Sequence, residues 1–237
     1  LQRDVEYPLE LAQWADEKLF WAAMAYNFHP RGLAQMFGGS PDAPPEQWAG
    51  VAKAFGEDRA KMRTGMPRLP LADATAAYRS YLRRLSNMLE GQPYLLGHNP
   101  CVADFAAYHP LWFTRTQTPV MAEILDATPA VLAWMDRMAA IGHGTREKLS
   151  ATDSIALCAA SAGAGAVFDH EVMQDEHGIA LGSRASITAE SFGPEPTEGE
   201  LVAATRMHYT LRRNDERAGV VHVHFPRIGY ILKKADA

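Results

Sequence analysis

Apolar positions through the first two thirds of the chain recur at three- and four-residue spacing, the period of amphipathic helices. Residues 5–28 predict a long helix with Pro8 in its first turn and Leu11, Trp14, Ala15, Lys18, Leu19, Ala22 and Ala25 on the repeat. Phe20, Trp21 and Met24 broaden that surface, so this helix is expected to touch partners on more than one side. Residues 29–45, with His29-Pro30, Gly38-Gly39, Ser40-Pro41 and Pro44-Pro45, read as a loop. A second helix is expected from Pro45 to about Arg63 with Lys53, Glu57, Lys61 and Arg63 on a solvated face. A third runs from about Ala72 to Glu90 on the stripe Ala76, Tyr78, Leu82, Leu85 and Leu89. Further helices are expected at 101–114, from Thr128-Pro129 to Gly142, and from Ala151 to Ala162.

After Ala162 the pattern changes. A polar, glycine-containing bridge from Gly163 to Glu176 separates the helical repeat from a period of two. Ser183–Glu190 alternates around Ala185, Ile187 and Ala189, and Leu201–Leu211 reads as one run through Ala203, Thr205, Met207 and Tyr209. Val220–Phe225 and Tyr230–Leu232 complete the set, with Asn214-Asp215-Glu216 and Gly219 as a turn. Three or four short strands in an antiparallel module are the expectation. The chain is therefore read as mainly α, a helical domain at 1–162 followed by a small antiparallel β module at 163–237.

The densest local signal is GQPYLLGHNPCVADFAAYHPLWF at 91–113. Gly97, Asn99 and Pro100 turn the chain, and a helix opens at Cys101 with Asp104 at the spacing of a capping box. Phe105, Ala106, Ala107, Tyr108, Leu111, Trp112 and Phe113 make that helix apolar nearly all round, so it is expected to be buried. A thiol is a weak acceptor, so the Cys101 cap is expected to be weaker than a hydroxyl cap by ~0.5–2 kcal/mol.

Leu89, Gly91, Pro93, Tyr94, Leu95, Gly97, Pro100, Ala103, Asp104 and Phe105 stand in a pattern that resembles the C-terminal helical domain of glutathione S-transferases. The departure is Cys101, where that family usually has Ser or Thr. The tail His224-Phe225-Pro226-Arg227-Ile228-Gly229-Tyr230 is similar to one found in some bacterial members. The resemblance implies a helical bundle that supplies a pocket for a small hydrophobic electrophile and contacts for a homodimer. It places glutathione mainly in an N-terminal thioredoxin-like domain that activates the thiol. No such pattern occurs in these residues, so the chain by itself is expected to bind no cofactor and to be inactive in conjugation. A chain separated from that domain is expected to expose an apolar patch.

The resemblance implies an electrophile pocket near Trp14, Lys18, Trp21, Tyr108, Trp112 and Arg115, although aromatic residues at helical spacing are more often core. No catalytic residue is assigned, and Cys101 and Asp104 are read as a structural N-capping pair. No metal is expected; the weak candidate is His208, His222 and His224, brought together on neighbouring strands. Arg227 is placed to hold a carboxylate or phosphate, or to pair with Glu190 or Glu200, and the pairing is favoured.

Composition narrows the field further. The net charge of −5 has no basic cluster for nucleic acid, and no apolar run is long enough to span a membrane. Two cysteines, Cys101 and Cys158, form no disulfide framework and suit a cytoplasmic protein. The other reading, from a different class, is a non-catalytic protein-interaction or small-ligand-binding module.

Overall fold

A computed structural model describes residues 3–63, 69–161, 172–174 and 176–235. The polar bridge expected at 163–176 falls mostly outside them. The chain divides into two compact units, Leu1–Gly56 with Pro67–Thr145, and Glu57–Met66 with Arg146–Ala237. No described helix is long and apolar enough to cross a membrane.

The first unit is helical. The long N-terminal helix is interrupted: α1 (Arg3–Trp14) and α2 (Phe20–Asn27) are joined by a π-helical turn, Ala15–Leu19. Pro8 lies inside α1 rather than in its first turn, because the helix already begins at Arg3. The stretch 29–45, expected as loop, contains α3 (Pro30–Gly38). His29-Pro30 opens this helix: the His29 ring accepts the Arg31 N–H at 3.3 Å, and proline fits the first helical position. Gly39, at φ 73°, closes it in the left-handed region that glycine alone enters without strain.

α4 (Pro45–Met62) and α5 (Leu71–Met88) lie within two residues of their expected bounds. α6 (Val102–Trp112) runs into a second π-helical turn, Phe113–Gln117, then a 3-10 turn at Pro119–Leu125 and α7 (Pro129–Ile141). The core gathers Leu19, Tyr78, Leu82, Leu111, Trp134 and Met135 among others. α6 is not buried all round. Ala103, Asp104, Ala107, Pro110 and Leu111 face inward, whereas Val102 and Phe105 are 47% and 51% exposed.

At the π-helical turn after α6 a polar cluster is fully buried. Thr114 Oγ1 donates to the Pro110 carbonyl at 3.1 Å and accepts from Asn27 Nδ2 at 2.9 Å, with the Tyr78 hydroxyl also 2.9 Å away. Since the single Thr114 hydrogen is committed to Pro110, Tyr78 is the donor in its pair. Thr118 completes the set by donating to Asn27 Oδ1 at 3.0 Å. Each polar atom has a partner, as burial demands.

The second unit contains the exposed helix α8 (Ala151–Ser161) and five antiparallel strands rather than three or four: β1 (Arg184–Ala189), β2 (Thr197–Ala204), β3 (His208–Asp215), β4 (Gly219–Pro226) and β5 (Tyr230–Lys234). Their order is β4-β3-β2-β1-β5. The run expected from Leu201 to Leu211 is broken at Thr205, whose side chain accepts the Met207 and His208 N–H groups at 3.2 and 3.1 Å and turns the chain. Ile187, Leu201, Tyr209, Leu211 and Leu232 form the core on one face of the sheet.

Candidate functional site

The two π-helical turns decide which sequence candidates meet. Trp14 and Trp21 are seven residues apart and would share a face of a regular α-helix. A π turn takes in one extra residue and rotates the helix beyond it by roughly 100°, the angle one residue spans. Trp14 accordingly packs edge-on against Tyr81 of α5, with ring centroids 5.2 Å apart. Trp21 lies beyond the turn and sits edge-on to Phe20 at 5.0 Å.

From there an aromatic ledge crosses to α6. His109 is stacked on Phe20 at 6.1 Å and on Trp112 at 6.2 Å, with 19° between the planes in both pairs. His109 is exposed, while Phe20, Trp21 and Trp112 are half-buried. Val102, Phe105, His109 and Trp112 recur at three- and four-residue spacing, so the exposed side of α6 continues the ledge as one stripe. Asp16, in the first π turn, faces His109 electrostatically: burial raises its carboxyl above the usual carboxylate value, His109 draws it down, and Glu17 pushes it up.

Of the six pocket candidates, Trp21 and Trp112 therefore come together through Phe20 and His109. Lys18 is exposed in the same π turn as Asp16. The other three go elsewhere. Trp14 belongs with Tyr81, and Tyr108 packs edge-on against Trp134 at 6.1 Å rather than pairing with Trp112. Arg115 pairs with Asp136 at 2.7 Å. Sequence reasoning missed Asp16, Phe20 and His109; the three-four-three spacing of Val102, Phe105, His109 and Trp112 is the signal that would have found the histidine.

The near-parallel rings of Phe20, His109 and Trp112 are of a kind that flat apolar molecules meet by stacking and area burial. His109 and Asp16 give the ledge one polar edge, able to donate to or accept from a ligand.

Cys101 and Asp104 form a capping box at the start of α6. Cys101 N–H donates to Asp104 Oδ2 at 3.0 Å. The Cys101 thiol also donates to that oxygen, at 3.3 Å, so sulfur acts here as a donor. Asp104 Oδ1 accepts the Leu95 N–H and the Trp134 indole N–H, each at 2.9 Å. Asp104 is fully buried and holds a turn, a helix start and α7 together.

In the β unit, His208 and His224 rings lie edge-on at 5.7 Å, and each Nδ1 meets a threonine hydroxyl, Thr205 at 3.2 Å and Thr210 at 2.9 Å. His222 stands opposite Arg212 in the ladder. Among the described residues no group of three His, Cys, Asp or Glu side chains is arranged to hold a metal ion. Arg227 is engaged structurally, with partners other than Glu190 or Glu200. It donates to Glu176 at 2.8 Å and to the Thr205 and Gln174 carbonyls at 2.5 and 2.9 Å. Glu200 is taken by Arg212 at 2.5 Å.

Residues 71–141 match the family described as glutathione S-transferase, C-terminal domain. No curated protein matches the chain. A solved structure, a GST-like protein from Pseudomonas syringae, is 33% identical; the match covers 96% of this chain and 68% of that one at a TM-score of 0.71. At that identity and coverage, from α1 through the sheet, the chain belongs to the glutathione S-transferase-like family.

Proposed function

We propose that this chain contributes the electrophile-binding face and the dimer contacts of a cytoplasmic, bacterial glutathione S-transferase-like protein. Glutathione is held and activated by a thioredoxin-like domain of the parent protein, and these residues alone do not conjugate it. One observation carries the reading: the helix most central to the family's pattern leaves Val102 and Phe105 about half exposed, in line with His109 and Trp112. An apolar stripe on an otherwise well-packed helix marks a surface that something covers. Stacking on Phe20 and Trp112 orients a flat electrophile, and His109 and Asp16 set which edge of it faces the polar side.

The test uses the protein expressed from its complete reading frame, with glutathione and an activated aryl halide. Trp112→Ala raises KM for the halide at least about tenfold, the equivalent of roughly 1.4 kcal/mol of lost binding, and leaves KM for glutathione within twofold. Equal effects on both substrates would remove the assignment of the ledge to the electrophile. Absence of conjugation by the parent protein would favour the non-catalytic module.

A further inference from the structure

The sheet of the second unit has one apolar face, and a segment of chain lies over it. Ile179 is buried in the core made by the strands, and the His177 ring meets Tyr209 edge-on at 5.8 Å. Upstream, Met173 bridges to Thr205, and the Gln174 N–H donates to the Ala204 carbonyl at 2.7 Å. Apart from Ile179, the large apolar side chains of this segment contribute little burial: Val172, Met173 and Leu181 are 56%, 40% and 50% exposed.

Arg227 supplies much of what holds it. The guanidinium reaches the Gln174 carbonyl, the Glu176 carboxylate and the Thr205 carbonyl, and lies 4.8 Å over the Tyr209 ring. Its own N–H donates to the Met207 carbonyl at 3.1 Å, pinning the β4–β5 turn to the β2–β3 turn. Gly229, at φ 86°, lets that turn close beside it. The arginine of the tail motif thus spends three of its five side-chain donors on the protein itself.

We propose that Val172–Gln174, paired at the end of β2, and Glu176–Leu181, over the apolar face, form a strap with Arg227 as its buckle, and that the strap opens locally while the five strands stay paired. The contrast in attachment supports this. β3 and β4 are joined through eight paired positions, whereas among the described residues the strap is held by one bridge with its Gln174 N–H bond, the buried Ile179, the edge contact of His177 with Tyr209 and the Arg227 contacts. Segments with few buried contacts open at lower free energy than the ladders they cover. Opening uncovers Tyr209 and its neighbours, a surface the closed form hides.

Hydrogen exchange on the chain tests this directly, with the Gln174 amide as reporter. In the unmodified protein it exchanges at least tenfold faster than the slowest amides of β3 and β4. Arg227→Lys, which cannot reproduce the fork, speeds it at least tenfold more without changing β3 and β4; Glu176→Gln, which removes one prong, gives a smaller rise. A Gln174 amide as slow as the strands in the unmodified protein would overturn the strap. Strands that accelerate in step with Gln174 in Arg227→Lys would equally overturn it, since Arg227 would then stabilise the whole unit.

Discussion

The indole N–H of Trp134 and a carboxylate oxygen of Asp104 meet at 2.9 Å in the buried centre of the helical unit. The same carboxylate holds the N–H groups of Leu95 and Cys101, so one side chain satisfies three N–H donors from three segments, two of them buried. Asp104→Ala strands all of them at ~1–3 kcal/mol each and is expected to cost at least about 3 kcal/mol. Urea unfolding followed by Trp fluorescence measures it. A loss below about 1 kcal/mol would mean that water replaces the carboxylate.

Cys101→Ser keeps the cap and exchanges a weak thiol donor for a hydroxyl beside the same carboxylate. The melting temperature is expected to rise, by the equivalent of ~0.5–2 kcal/mol. Burial chiefly pushes the Cys101 thiol pKa above its ordinary value, with Asp104 adding to the rise. Exposed Cys158 is therefore expected to alkylate first at neutral pH, and mass spectrometry of time points gives the order.

Thr114→Val preserves shape but leaves Asn27 Nδ2 and the Tyr78 hydroxyl without their acceptor. A loss of ~2–4 kcal/mol is expected, against about 1 kcal/mol for Tyr78→Phe, which removes the donor with its demand. The double variant should cost less than the sum of the two, because the stranded hydroxyl is gone. Additive losses would show that Tyr78 finds another partner.

Burial lowers the His224 pKa from its ordinary 6.5, and His208 and His222 lower it further. The unfolded chain then takes up the proton more readily than the folded one. Stability is full above pH 6.5, falls as pH drops toward the folded pKa, and stays at the reduced level below it. The β unit is expected to melt lower at about pH 5.5 than at about pH 7.5, a difference that shrinks in His224→Gln. Equal slopes with pH in both proteins would assign the effect to other groups.

The helical and β halves were legible because side-chain period reports burial, about 3.6 in one and 2 in the other. The Cys101–Asp104 box was legible because its spacing fixes its geometry. Periodicity misled at residues 15–19 and 113–117, where a π turn adds a residue without altering composition. That shift separated Trp14 from Trp21 and carried Arg115 to Asp136. His29-Pro30 was misread because proline breaks a helix interior but suits its first position. Arg227 was expected to pair with an acid on the strands, yet its partners are Gln174, Glu176 and the Thr205 turn, which no strand pattern marks.

The electrophile face is tested most directly by fluorine NMR on the chain labelled with 5-fluorotryptophan, its five tryptophans giving five signals assigned by substitution. Titration with an aryl halide is expected to shift Trp21 and Trp112 together and to leave Trp14, Trp48 and Trp134 in place. Shifts at Trp14 or Trp134 with Trp112 unmoved would contradict the account and place the ligand elsewhere in the helical unit.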